Sequence, residues 1–225
     1  MNFCFQPRIF NIGGPSILRS ILAFACAAIA VIAPAAASAQ DIAPGQSKAD
    51  YYAWLAQSQQ NRENVLSFKA FLRDKSVEDV LPVWQLVRTS SSWRECGAEP
   101  FEVAERGEWP NIVETLDFVK DEVRPAIGPV EAVSAFRNAR LNGCSRGAPL
   151  SAHRLFFAVD LVPAGDIDRG KMITQLCTAF AERGSRYHLG LGFYSRTRFH
   201  VDSNGFRKWG ADGRGATSPC NGNIA

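Results

Sequence analysis

Three side chains able to bind a metal sit in two stretches of otherwise apolar sequence. Ser151 to Pro163 reads SAHRLFFAVDLVP, a strand-like run with one carboxylate, Asp160, and with His153 seven residues before it. The second stretch is FHVD at 199–202, which carries His200 and Asp202. A carboxylate buried without a partner is strongly unfavourable, so Asp160 requires a cation or a metal beside it. Two neutral imidazoles and one carboxylate, with the fourth position left to water, form the donor set of a catalytic zinc site, and the chemistry of such a site is hydrolysis. His153, Asp160 and His200 are the candidate ligands.

His188 is the remaining histidine of the three in the chain, and with no acidic or metal-binding company it reads as structural. His200 and Asp202 are two apart in a strand and share a face, so a metal on His200 has Asp202 close by. Arg137 stands at the end of a strand-like segment. It is either a surface arginine or a donor to a substrate carboxylate or to charge developing on an attacked carbonyl.

The elements that must position these groups follow from periodicity. Residues 47–75 carry Tyr51, Trp54, Leu55, Val65, Phe68 and Leu72 near the 3.6 spacing and read as a packing helix. Pro110 opens a second helix that Pro125 and Gly128 close. Residues 129–136 form a strand delivering Arg137, and 138–150 form a long loop leading to His153, where length favours function. Arg169 to Arg183 is a helix with Met172, Leu176 and Phe180 inward, followed by a strand pair, HLGLGFYS and RFHVDSNG.

A net charge of +3 is too weak to imply nucleic acid. Arg8 and Arg19, the uncharged run Ile21 to Ile32 and Ala37-Ser38-Ala39 read as a secretory signal peptide over 1–39, too short to span a membrane comfortably. The mature chain is therefore expected to carry no membrane span and to be exported to a periplasm. Its four cysteines suit two disulfides in an oxidising compartment, with Cys96–Cys144 and Cys177–Cys220 the preferred pairing of three. The remaining divisions are a helical extension at 40–108, a core at 109–210 and a Gly- and Ser-rich flexible tail at 211–225.

The residues also carry a resemblance. Phe136-Arg137, Asn142, Gly147-Ala148-Pro149, then Ser151, His153, Ala158 and Asp160, followed by GLGFYS, FHVD and GFRKW, resemble the two motifs of the zinc D-alanyl-D-alanine carboxypeptidase family of bacterial metallopeptidases, in its HVD-type branch. That superfamily includes the vancomycin-resistance dipeptidases and is related to the hedgehog fold. The likeness covers roughly Trp109 to Trp209. It implies an α+β domain whose small antiparallel sheet, flanked by helices, carries zinc on His153, Asp160 and His200. It also implies cleavage next to D-amino acids in peptidoglycan stem peptides, with Arg137 steadying the scissile carbonyl or substrate carboxylate and Ser151 orienting a ligand or touching substrate.

Two positions depart from the family pattern. Phe156 stands where the family usually has Gly, and Thr197 where many members have an acidic general base. Asp202 is then the candidate base, the alternative being that it only hydrogen-bonds a ligand histidine. An inactive zinc-bound module that recognises stem peptides, and a metal-free protein held by disulfides, are the competing readings. Neither the oligomeric state nor the choice between carboxypeptidase, dipeptidase and endopeptidase follows from the sequence.

Overall fold

Short segments in which small or apolar residues alternate with polar ones build the sheet that joins the two histidine-bearing stretches. The computed structural model describes residues 42–222, so the expected signal peptide at 1–39 falls outside the described residues, as do 40–41 and 223–225. The strands are β1 (Val130–Ser134), β2 (Ala158–Pro163), β3 (Gly190–Phe193), β4 (Phe199–Asp202) and β5 (Arg207–Trp209). They lie in the order β1-β2-β4-β3-β5. The architecture is mixed α+β.

The pairs β1–β2, β2–β4 and β3–β4 are antiparallel, but β5 runs parallel to β3, so the sheet is not wholly antiparallel as expected. The cause is local. The chain reverses through residues 203–206, where Gly205 takes φ +113°, and β5 emerges on the far side of β3 rather than beside β4.

Helices and turns surround the sheet. The expected helix over 47–75 is two helices, α1 (Lys48–Gln57) and α2 (Gln59–Asp74), because Ser58 is extended (φ −145°, ψ 131°) and its hydroxyl caps α2 by accepting from Asn61 N. Leu81 to Arg88 contains the single turn α3 (Val83–Leu86). Pro110 lies inside a tight 3-10 segment, Arg106–Ile112, and the helix proper runs as α4 (Val113–Phe118), a wide π turn (Val119–Val123) and α5 (Arg124–Ile127). That wide turn stands just before Pro125, which has no N–H to offer the helix ladder. Gly128 then ends the helix at φ +82°.

The long loop at 138–150 holds a short helix, α6 (Ala139–Cys144), whose first turn is capped by the Asn138 side chain accepting from Leu141 N. An Asn cap ahead of Ala-Arg-Leu is a helix start that the Gly- and Ser-rich composition of the stretch obscured. α7 (Arg169–Arg183) matches its expected range and buries Met172, Leu176 and Phe180.

Both disulfides pair as anticipated, Cys96 with Cys144 and Cys177 with Cys220. Disulfides of this kind persist in oxidising compartments. The second fastens residues 211–222 to α7, and Lys208 Nζ donates to Cys220 O at 2.7 Å, so this stretch is held rather than loose. No helix among the described residues is long and apolar enough to cross a membrane.

Candidate metal centre

Strand register places the chemistry in one row across the sheet. Ser134 pairs with Asp160, Asp160 with His200, His200 with Gly192, and Gly192 with Trp209. The neighbouring row runs Ala158, Asp202, Gly190, Arg207. His153 reaches the first row from a 3-10 turn, Ala152–Leu155, immediately before β2.

The two glycines of β3 explain how β5 contributes. A Cβ on Gly190 would sit 2.2 Å from Asp202 Oδ2, and one on Gly192 would sit 2.2 Å from Trp209 Cε2. Their absence lets Arg207 reach across β3 to Asp202 and lets the Trp209 ring reach His200, at 4.9 Å between centroids. Any larger residue in either row would push those side chains off.

The three expected ligands converge. His153 Nε2 is 3.2 Å from Asp160 Oδ1 and 3.1 Å from His200 Nδ1, and His200 Nδ1 is 2.9 Å from Asp160 Oδ1. All three side chains are buried. Ligand atoms about 2.0–2.2 Å from one metal ion in tetrahedral array stand roughly 3.3 Å apart, so this triangle is close to a binding face.

The donor chemistry agrees. His153 Nδ1–H donates to Ala135 O at 2.6 Å, which leaves the Nε2 lone pair aimed at the centre. His200 Nε2–H donates to Asp202 Oδ2 at 2.8 Å, which leaves Nδ1 for the same point. Each ring thus has the outer partner that fixes the tautomer of a metal-binding histidine. The cluster fits a divalent metal; its donor set does not by itself choose one.

Charge around the triangle is closely arranged. Asp160 is 0% exposed, and its Oδ2 accepts from Arg137 Nη2 and Arg198 Nη2, both at 2.7 Å, while Oδ1 also accepts from Tyr194 OH at 3.0 Å. Burial alone would raise the Asp160 pKa, but His153, Arg198 and Arg137 outweigh it and hold the carboxyl well below its usual range. Burial, reinforced by Arg137, pushes His153 down to about 4, so that ring is neutral. For His200 burial works downward, yet hydrogen bonds to Asp160 and Asp202 raise it. Burial, then the Asp160 charge, pushes the Tyr194 phenol up and makes it a donor rather than a base.

Asp202 lies on the outer edge of the His200 ring. It is 0% exposed, with Arg207 bonded to both of its oxygens at 2.9 Å and Asn204 N donating to Oδ1 at 2.8 Å. Of its two anticipated roles, base or partner of a ligand histidine, this is the geometry of the second. Arg137 is brought to the centre, where Ser134 Oγ accepts from its Nε at 3.1 Å. Ser151 stands just before the 3-10 turn and lines the cleft at the metal face. His188 is exposed against Glu114 and lies outside the His153–Asp160–His200 group.

The cleft encloses 660 Å³ and is lined by His153, His200, Arg137, Tyr194, Trp209 and Arg146 among others, with no Asp or Glu among the described residues around it. Tyr194, Arg198, Arg207 and the Ala135 carbonyl were not foreseen. Two of them had a signal: in Arg198, His200, Asp202 every second residue is polar, and Gly190, Gly192, Tyr194 repeat the same step through β3 and the residue after it.

Comparison with known proteins gives no match to any family model, curated protein or solved structure.

Proposed function

We propose that the chain is an exported zinc metallopeptidase acting on peptide bonds next to D-amino acids in peptidoglycan stem peptides. The observation that carries this reading is the meeting of His153 Nε2, Asp160 Oδ1 and His200 Nδ1 within 3.2 Å of one another, each ring turned to point its lone pair inward. The motifs that resemble the D-alanyl-D-alanine carboxypeptidases supply the substrate class.

Zinc at such a site supplies a Lewis acid and lowers the pKa of its water to about 7. The chain's own residues do the rest. Arg137 lines the cleft beside the triangle and offers guanidinium N–H donors to charge developing on the carbonyl oxygen, while Tyr194, whose hydroxyl donates to Asp160 Oδ1, steadies that carboxylate. Asp202, held by Arg207, keeps the His200 ring in register and strengthens it as a ligand. Trp209 and Leu150 form walls of the cleft, with Leu150 90% exposed at its rim.

Purified muropeptides incubated with the protein, with and without a chelator, and resolved by mass give the test. Loss of D-Ala or splitting of a cross-link that the chelator stops supports the reading. Stoichiometric zinc in His153→Ala or His200→Ala refutes the ligand assignment. One observation favours the second reading, a zinc-bound module that recognises stem peptides without cutting them. Asp202 is engaged by His200 and Arg207, and among the described residues no carboxylate lines the cleft to serve as base. Full zinc occupancy with no product would select it.

A further inference from the structure

The turn between β3 and β4 sends two side chains back to one carboxylate. Tyr194 follows β3, Arg198 precedes β4, and Tyr194 N donates to Arg198 O at 3.1 Å, closing the reversal. Each stands two residues from the row that crosses the sheet, Tyr194 from Gly192 and Arg198 from His200, so both point to the same face. Tyr194 OH donates to Asp160 Oδ1 at 3.0 Å, and Arg198 Nη2 donates to Asp160 Oδ2 at 2.7 Å. The Arg198 guanidinium lies 5.2 Å from the Tyr194 ring centroid, and its Nη1 donates to Ser91 Oγ at 3.0 Å. Arg198 falls between the GLGFYS and FHVD stretches and belongs to neither.

An ionised carboxylate offers about four lone-pair positions. On Oδ2 of Asp160 both are taken, by Arg137 Nη2 and Arg198 Nη2, each at 2.7 Å. On Oδ1 the Tyr194 hydroxyl takes one. The ring nitrogens nearest Oδ1, His153 Nε2 and His200 Nδ1, carry lone pairs of their own, because each ring donates through its other nitrogen. One position is left, on Oδ1, and it faces the two imidazoles. While Arg198 is in place, Asp160 can thus give a metal one oxygen only. With the two imidazole nitrogens that makes three ligand atoms, and a four-coordinate ion keeps its last position for water or substrate. An Asp160 that gave both oxygens would fill that position or expand the coordination to five.

We propose that Arg198 is a positioning residue of the metal centre: by occupying the outer oxygen of Asp160 it holds this ligand to single-atom coordination and keeps one metal position open. The proposal rests on the metal-centre reading for the ion, and on the hydrogen bonds of Asp160 for the restraint.

X-ray absorption at the zinc edge, with the visible spectrum of the cobalt(II)-loaded protein, counts ligand atoms without turnover. The parent is expected to show four nitrogen and oxygen ligands and the strong visible bands of four-coordinate cobalt(II). Arg198→Met, which removes the donors and keeps an unbranched side chain, is expected to show five and to lose most of that visible intensity. Arg198→Lys, which returns a charged donor, is expected to restore four. Tyr194→Phe frees a position on Oδ1 but leaves Oδ2 held, so it is expected to stay at four. That contrast separates restraint of Asp160 from a general loosening of the turn.

A five-coordinate ion in the parent overturns the proposal, whether or not any variant folds. So does an unchanged count in Arg198→Met, or an equal rise in Tyr194→Phe. Four ligands in the parent and five in Arg198→Met, with muropeptides left intact by the parent, keep the restraint and remove the metallopeptidase reading. Chelator-sensitive cleavage with the same count in both proteins does the reverse.

Discussion

Phe156 holds a backbone conformation that L side chains avoid, and this makes its replacement a quantitative test of the fold around His153. It has φ 57° and ψ 29°, the left-handed region, and ends the 3-10 turn that carries His153. The ring is 1% exposed and lies 5.6 Å from Phe68 and 6.2 Å from Phe136. Replacing a buried Phe by Ala costs about 3–5 kcal/mol. A left-handed conformation costs a non-Gly residue about 1–2 kcal/mol, whereas Gly adopts it freely. Against that, Gly loses about 0.5–1 kcal/mol more chain entropy on folding than Ala.

Phe156→Gly is therefore expected to be more stable than Phe156→Ala by roughly 0.5–1 kcal/mol, the opposite of the order in a regular helix or strand. Urea denaturation reads this directly. With a slope of about 2 kcal/mol/M, the Gly variant's midpoint should lie about 0.25–0.5 M above the Ala variant's, and both should fall well below the parent. An Ala variant equal to or more stable than the Gly variant, at equal slopes, would refute the account of Phe156 as strained and compensated by ring burial.

Other outcomes follow from the same geometry. Gly192→Ala places a Cβ 2.2 Å from Trp209 Cε2 and should cost about 1–3 kcal/mol in urea, with the Trp fluorescence altered; an unchanged midpoint would contradict the close packing of the row. Asp202→Asn should weaken zinc about 10–100-fold by competition titration, and unaltered affinity would mean that Asp202 does not orient His200. Zinc at 100 times its dissociation constant should stabilise the fold by about 2.7 kcal/mol, raising Tm by about 5–11 °C, and no shift would deny a folded-state site. Burial raises the Glu102 carboxyl against the opposing Asn138 hydrogen bond, so the folded state keeps a proton that the unfolded chain has released. Stability then falls as pH rises above the ordinary value of 4.5, and the Tm of Glu102→Gln relative to the parent should grow as pH is raised above that value; a flat difference would show that Glu102 is not destabilised by burial.

The convergence of His153, Asp160 and His200 was legible because a carboxylate among phenylalanines has few stable explanations, and because His200 and Asp202 sit one strand period apart. Extending that alternation one step back would have reached Arg198, and the same step in β5 links Arg207 with Trp209. The direction of β5 was not legible. Its three residues pair with β3 only after a turn whose path depends on Gly205, and nothing local in Arg-Lys-Trp separates a parallel from an antiparallel partner. The split of the first helix at Ser58 falls inside the gap between Leu55 and Val65, where no large apolar residue marks the spacing, and α1 and α2 each bury their own stripe on either side of it. Asp202's role was undecided for a similar reason: spacing puts it beside His200, while only coordinates say which ring nitrogen it meets.

The likeness to the carboxypeptidase motifs begins near Trp109, yet the residues before that point take part in shaping the centre. β1 is an edge strand, and exposed edges leave N–H and C=O groups without partners. Here Gln85 Oε1 accepts from Ala132 N at 3.0 Å, Arg88 Nη1 donates to Ala132 O at 2.7 Å, and Arg88 O accepts from Ala135 N at 2.9 Å. Arg88 itself is 1% exposed and paired with Glu131, so removing it would strand a buried acceptor and a carboxylate together. The segment it fixes ends at Ala135, whose carbonyl accepts from His153 Nδ1 and so determines which nitrogen of that ring faces the candidate metal site. Phe68 of α2 meets Phe156 at the other end of the same turn. The described residues before Trp109 thus hold His153 from both sides, one contact setting its tautomer and the other its backbone, and they belong to the candidate metal centre as much as the strands that carry Asp160 and His200.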